Sequence, residues 1–274
     1  MSLLLRDHYV AVLGPDKAVL VRQRRGWNGA FDLKTEAAYD DTPAEAAVAT
    51  LGKLLSGPEV GSGDLTILLS NHFVRYLLVP WREEIASPQE FETFARICCE
   101  QIYGIDSGSV GRILRISRER ADSPRLAAVL ETPFAGALDL LVAKSRLNLI
   151  SLQPYLAAAF NRLASETCGN SFFFLVAEPE RCCLLAAIDG RWSRVQASAS
   201  LDQPQALIDL IDREAQLLGL EADAMPPVYI HAPRQARLDL PACNGVKPTT
   251  LSLLIPATLA GAADHLLTMA MAAT

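Results

Sequence analysis

The sequence has no run of about 18 apolar residues free of charge, the length a helix needs to cross a bilayer. Its amino end, MSLLLRDHYV, offers three leucines and then Arg6 and Asp7, too short a stretch for the core of a signal peptide. These two absences predict a cytoplasmic protein without a membrane span. Basic charge is not in excess either. With 25 Lys and Arg against 31 Asp and Glu the net charge is −6, so the molecular field does not favour a polyanion, and nucleic acid is not an expected partner. Six cysteines occur, at Cys98, Cys99, Cys168, Cys182, Cys183 and Cys243, but none forms a CxxC pair. Zinc is therefore not expected, and the thiols read as buried packing groups. The four histidines, His8, His72, His231 and His265, lie far apart and suggest no ligand set. His72 beside Asn71 has the chemistry of a general base, yet no Ser, Cys or carboxylate motif accompanies it. No catalytic residue, metal ligand or cofactor is predicted.

What is present is globular: 274 residues, 50% hydrophobic and 20% charged, enough for two domains. Apolar runs at 9–14 and 18–25 flank a Gly-Pro-Asp-Lys turn, and FDLKTEAAYD supplies a third strand. A helix follows, with Thr42 as cap, Pro43 at its first position and Glu45 three after the cap. DLTILLSNHFVRYLLVPW reads as a buried strand, a polar break at Ser70-Asn71-His72, and a second apolar run ending at Pro80.

SPQEFETFARICCEQIYG is a second capped helix, Ser87 to Gly104, with Phe91, Phe94, Ile97, Cys98 and Ile102 as its predicted apolar face. GRILRISRE and PRLAAVLE form a hairpin, PFAGALDLLVAKSRLN a third helix, and LISLQPY leads into the helix YLAAAFNRLASE. From residue 171 the opening pattern returns: two apolar runs with a tight turn, an Asp189-Gly190 hairpin signal, a third strand, and the helix DQPQALIDLIDREAQLLGL. PVYIHAP and TTLSLLIPA are further strands, and TLAGAADHLLTMAMAA is a final helix.

Three strands, a helix, a strand and another helix thus occur twice. The duplication predicts an α/β protein of two βββαβα-type domains, residues 1–160 with an inserted hairpin and 161–274, the last helix free to pack back on the first domain. Two basic groups stand out. Arg6, Arg22, Arg24 and Arg25 mark a sheet edge, where charge blocks strand-to-strand association or receives an extended peptide. Arg112, Arg115, Arg118 and Arg120 lie on the inserted hairpin and read as a solvated face or a partner surface.

This duplication resembles the actin-like ATPase, or ribonuclease H-like, fold. Within it the chain resembles the PilM family of pilus assembly, the cytoplasmic part of the type II secretion L protein, and the MshI-type proteins. LLSNHFVRYLLVPW, residues 68–81, carries the resemblance most specifically. Relatives that bind ATP have an Asp-x-Gly at the end of the first strand, a second in the other domain, and a Gly-Gly pair that admits the adenosine. Here these fall on Val12 and Gly14, on Ala177 and Pro179, and on Ala232 and Pro233. Pro15 has no N–H to offer a phosphate, and Asp16, Glu178 and Glu180 would repel one. The resemblance implies a non-catalytic scaffold, a pseudo-ATPase without cofactor. Its implied partners are the cytoplasmic tail of an inner-membrane pilus or secretion protein and a cytoplasmic assembly ATPase. An ATPase or sugar kinase with unusual motifs, and a regulatory fold unconnected with secretion, remain open at this point.

Overall fold

A computed structural model of the chain describes residues 6–24, 30–40, 43–115, 122–235, 238–259 and 264–274. By contact these form two units, each discontinuous in sequence. Thr42, Arg25, Arg118 and Arg120 lie outside the described residues.

The first unit takes in Met1–Phe73, Pro133–Arg162 and Leu253–Thr274. Its sheet has the order β3-β2-β1-β4-β8, built from β1 (Asp7–Leu13), β2 (Lys17–Gln23), β3 (Phe31–Ala38), β4 (Gly63–Leu69) and β8 (Leu147–Pro154). β1, β2 and β3 run antiparallel in sequence, while β1 with β4 and β4 with β8 are parallel. Tyr9 to Leu13 are all fully buried, so successive side chains are covered on both faces of β1. Helix α1 (Pro43–Leu55) packs on β2 and β3, and α6 (His265–Ala270) on β1 and β2. Helix α3 (Thr132–Lys144) lies close against α1, where a Cβ added at Gly52 would meet Leu141 Cδ1 at 3.2 Å. β8 is a strand that the sequence reading left as a lead into the next helix. Only Leu147 at its start and Pro154 at its end are buried, so it lacks a clear apolar alternation.

The polar break after β4 has a structural purpose. Asn71 is fully buried, and its Oδ1 accepts from Leu156 N at 3.1 Å, satisfying an orphan N–H in the first turn of α4 (Tyr155–Leu163). Phe73 stacks on Phe134 of α3 with ring centroids 5.0 Å apart.

The second unit comprises Val74–Thr132 and Leu163–Ser252. Its larger sheet has the order β11-β10-β9-β12-β13: β9 (Phe172–Glu178), β10 (Arg181–Ile188), β11 (Arg191–Ser198), β12 (Val228–His231) and β13 (Thr249–Leu251). In chain order this repeats the first sheet, with a third-second-first-fourth-fifth arrangement in both. Asp189 and Gly190 have φ of 51° and 74°, the pair of positive values that a two-residue type I′ hairpin requires. Helix α5 (Pro204–Leu217) buries Leu207, Leu210 and Ile211, while Leu217 at its end is exposed. Glu214 of α5 is buried and accepts from Arg194 Nε of β11 at 2.7 Å, tying helix to sheet.

The same unit holds a smaller antiparallel sheet, β5-β7-β6, of β5 (Arg75–Val79), β6 (Val110–Arg115) and β7 (Arg125–Glu131), covered by α2 (Pro88–Tyr103). The Ser87 capping box is formed: Ser87 Oγ accepts from Glu90 N at 3.2 Å, and the Glu90 carboxylate accepts from Ser87 N at 2.9 Å. Gly104, at φ 63°, ends the helix in the left-handed conformation. The buried stripe of α2 is Phe91, Ala95, Cys98 and Cys99, with Phe94 partly buried against the same core; Phe91 and Cys98 were expected there, but Ile97 and Ile102 are 46% and 55% exposed. Ile97 precedes Cys98 by one residue and so lies about 100° round the helix from it. At the C-terminal end Tyr103 closes the packing, donating its hydroxyl to Tyr76 O. Five of the cysteines are buried as expected, whereas Cys168 is exposed. Burial pushes the Cys182 and Cys243 thiols up to about 12.

Leu77 is buried against α2 with Val79, while its neighbour Leu78 is half-buried. Leu77→Ala is expected to cost about 2–5 kcal/mol and Leu78→Ala clearly less, read as shifts of the urea unfolding midpoint. Equal, small losses would show that β5 is not a core strand.

Candidate functional site

The positions that the sequence resemblance aligns with nucleotide motifs lie at or just after the ends of β1, β9 and β12. In the first unit β1 enters the turn at Leu13. Gly14 N donates to Lys17 O at 2.9 Å, and Tyr39 N donates to Asp16 O at 2.8 Å. The Tyr39 hydroxyl donates to Gly14 O. The turn is thus occupied with its own hairpin and with the residue after β3. Val12, two residues before Gly14, is fully buried and pairs with Val19 and Leu68. An isopropyl group there can bind neither a metal nor its water.

Gly14 does permit a close approach, but a side chain makes it. An added Cβ would lie 2.7 Å from Leu266 Cδ2 and 3.1 Å from Lys17 O, so Leu266 of α6 fills the space above the bare backbone. Asp264 holds α6 there. Its Oδ1 accepts from Leu266 N at 3.0 Å as the helix cap and pairs with Lys17 Nζ at 2.7 Å. Lys34 of β3 reaches the other carboxylate oxygen at 3.9 Å and pairs with Glu36 at 3.2 Å. Burial would raise the Asp264 carboxyl, but the donation from Lys17 and Leu266 N outweighs it and holds the group below the usual carboxylate range. Neither Asp264 nor this cluster was singled out from the sequence; an Asp just before an apolar pair was the available cap signal. The sequence reading starts the last helix at 258, but Thr258 lies in a turn, and 260–263 fall outside the described residues.

In the second unit the β9–β10 turn is Glu178-Pro179-Glu180-Arg181. Pro179 followed by Glu180 at φ 59° is the φ order of a type II turn, here with a carboxylate-bearing residue in the left-handed position. Ala177 is fully buried opposite Cys182, and Glu178 is fully buried. β12 runs parallel beside β9 with His231 opposite Val176, so Ala232 and Pro233 follow at the strand end next to Ala177. Both are buried, and the turn closes with Gln235 N donating to Ala232 O at 3.1 Å and Gln235 Nε2 to Asp202 O at 2.8 Å. The structure brings together the second and third motif positions on neighbouring strands of this unit, and Val12 and Gly14 on one hairpin of the other.

Among the histidines, His8 Nε2 is 2.9 Å from Thr66 Oγ1, the buried His231 Nδ1 is 3.0 Å from Leu251 O, and His265 Nδ1 is 3.9 Å from Asp264 Oδ1; the backbone N of His72 donates to Ser70 Oγ at 3.2 Å. Burial pulls the His231 pKa down and so favours its neutral ring. No group of three or more His, Cys, Asp or Glu able to hold a metal occurs among the described residues, and no helix among them is long and apolar enough to cross a membrane. Arg22 does not face outward as a free basic edge: its guanidinium makes two hydrogen bonds to Asp32, at 2.7 and 2.9 Å, and Arg24 pairs with the same carboxylate. Arg6 is exposed.

The sequence matches no protein-family model and no curated protein. Solved structures do match. The cytoplasmic domain of EpsL, an inner membrane component of the type II secretion system of Vibrio cholerae, aligns with a TM-score of 0.61 at 11% identity, covering 98% of this chain and 95% of that one. A Bacteroides thetaiotaomicron protein with an actin-like ATPase fold aligns at 0.58 and 8% identity, over 87% and 86% of the two chains. A chain of the PilM–PilN type IV pilus biogenesis complex aligns at 0.55 and 14% identity, over 82% and 81%.

The fold is that of the actin-like ATPases.

Within this actin-like fold, Asp264 offers a direct test of the contact that fills the first turn. A carboxylate held below its ordinary value contributes stability that is complete above the unfolded value of about 3.9 and vanishes as pH falls through the folded value. Between about pH 5 and pH 2.5, Asp264→Asn is therefore expected to lose less stability than the parent chain in urea titrations. Identical losses in both would remove the Lys17–Asp264 pair from the account.

Proposed function

We propose that this chain is a non-catalytic scaffold of a type IV pilus or type II secretion-like envelope assembly, working at the inner face of the inner membrane. In this reading it takes up a short cytoplasmic tail of an inner-membrane partner and connects it with a cytoplasmic assembly ATPase. The likeness of fold to the EpsL cytoplasmic domain and to the PilM–PilN complex supports the setting. The observation that carries the pseudo-ATPase part is the chemistry of the three turns. Val12 and Ala177 stand where a metal-holding acid is needed, and Pro179 and Pro233 stand where backbone must approach a nucleotide. Leu266 already fills the approach at Gly14.

Peptide uptake by such a protein needs only an edge strand or groove, which gives main-chain hydrogen bonds and alternating side-chain pockets. Interfaces of this size range from weak to moderate in affinity.

Calorimetry with ATP and magnesium is expected to show no binding at micromolar concentration. A site with Kd of about 1 mM is worth only about −4.1 kcal/mol, less than loss of a metal contact can remove. Magnesium-dependent micromolar binding would restore the ATPase reading. The scaffold part is checked separately, by recovery from native membranes and titration with the cytoplasmic tail of the recovered protein. Saturable binding is the expected result; an envelope protein whose tail shows none would leave the scaffold without support.

A further inference from the structure

The C-terminal ends of α1 and α3 in the first unit leave a groove of about 780 Å³ between them. We propose that this groove is a docking site for an acidic, leucine-bearing segment of a partner protein, separate from the strand-end turns. The inference rests on the groove alone and stands whether or not the membrane-tail reading holds.

Charge is the first observation. Lys53, Lys144 and Arg146 line the groove, and no Asp or Glu does, in a chain whose acids outnumber its bases by 31 to 25. All three cations are exposed, and none makes an ion pair among the described residues. Lys53 and Lys144 sit in the last turns of their helices, where each complements its own helix dipole. Arg146 lies beyond its helix, just before β8, so the dipole does not account for the convergence of three charges on one hollow. Glu59 lies between the lining residues Pro58 and Val60, and its carbonyl is engaged by Arg22 Nη1 at 3.1 Å.

The floor is the second observation. Leu55, Val60 and Leu141 are partly buried and contribute hydrocarbon. A groove with an apolar floor and separate charges at its rim suits an amphipathic segment. A free phosphate fits less well. It is held by converging N–H donors such as a helix N-terminus supplies, whereas both helices here present their carbonyl ends. A peptide brings carboxylates for the cations, and N–H donors for carbonyls as well.

The site is also distinct from the nucleotide-equivalent turn. Val60 and Arg146 precede β4 and β8, at the starting ends of strands parallel to β1, whereas Gly14 follows the finishing end of β1. A seven-residue strand separates the two ends by about 20 Å.

The test uses the full chain and a fluorescein-labelled peptide of glutamate and leucine, its leucines spaced to form one helical face, read by fluorescence anisotropy. The expected result is saturable binding that weakens at least tenfold with Lys53→Glu and Arg146→Glu combined, and that weakens as salt is raised. Lys247→Glu, at an exposed cation of the other unit, should leave it unchanged. Where the double charge reversal lowers the thermal midpoint, Lys53→Gln with Arg146→Gln replaces it. The proposal is overturned by absence of saturable binding, by equal binding of the same peptide with glutamine for glutamate, or by equal weakening in Lys247→Glu. Preference for vesicles containing anionic lipid over the peptide would also overturn it, in favour of a membrane surface.

Discussion

Both sheets are organised about a central strand that is covered on its two faces. Tyr9 to Leu13 in β1 and Phe173 to Glu178 in β9 are fully buried along their whole length. Such a strand favours a continuous apolar run, and a charged side chain in it is tolerated only when something compensates the loss of water. A metal and its phosphate ligands would be such a compensation for an acid at position 12 or 177. Without them an apolar residue is the lower-energy choice, which is what Val12 and Ala177 provide. Glu178 is the exception that shows the cost: its carboxylate is buried at the end of β9, and it has interaction partners.

The same constraint explains the short last helix. Six residues form little independent helix, so α6 depends on packing and capping for its existence. Leu266, Leu267 and Met269 are fully buried, and Asp264 supplies both the cap and the pairing to Lys17. A buried carboxylate is expensive unless hydrogen bonds and opposite charge surround it: Asp264 Oδ1 accepts from Leu266 N and pairs with Lys17, while Lys34, 3.9 Å from Oδ2, adds charge without a hydrogen bond. The β1–β2 hairpin turn is thus the anchoring point of a helix. Gly14 keeps its value in this arrangement because a leucine, rather than a ligand, needs the room.

Elements with a local cause were legible in the sequence. The Ser87 capping box, the Gly104 stop and the Asp189-Gly190 turn all follow from neighbours within a few residues. What escaped is set by distant partners. Asn71 was readable as a polar break, yet its duty toward Leu156 lies 85 residues along the chain. β8 gave no strand signal because only its two ends are fully buried, and what makes it a strand is its parallel partner β4. Ile97 and Ile102 fit a helical stripe, but the sheet beneath α2 selects Ala95 and Cys99 instead. The motif positions could be named from their place after each strand. Their occupation by Leu266, and the clamp at Asp264, could not, because the residues concerned are some 250 positions apart in the chain.

The β1–β2 turn packs a helix of its own unit, and charge shows where else that unit has capacity for a ligand. Around Gly14 each cation has an acid: Lys17 with Asp264, Lys34 with Glu36 and Asp264. On the sheet edge Arg22 and Arg24 share Asp32. Paired charges of this kind have little left to offer a ligand, since a newcomer must first displace the existing partner and meet the desolvation cost again. Lys53, Lys144 and Arg146 are different, being solvated and without an ion pair among the described residues, beside an apolar hollow. Binding there would gain counter-charge without breaking an ion pair. The β1–β2 turn is filled by Leu266, whereas the ends of α1 and α3 leave charge in reach of a ligand.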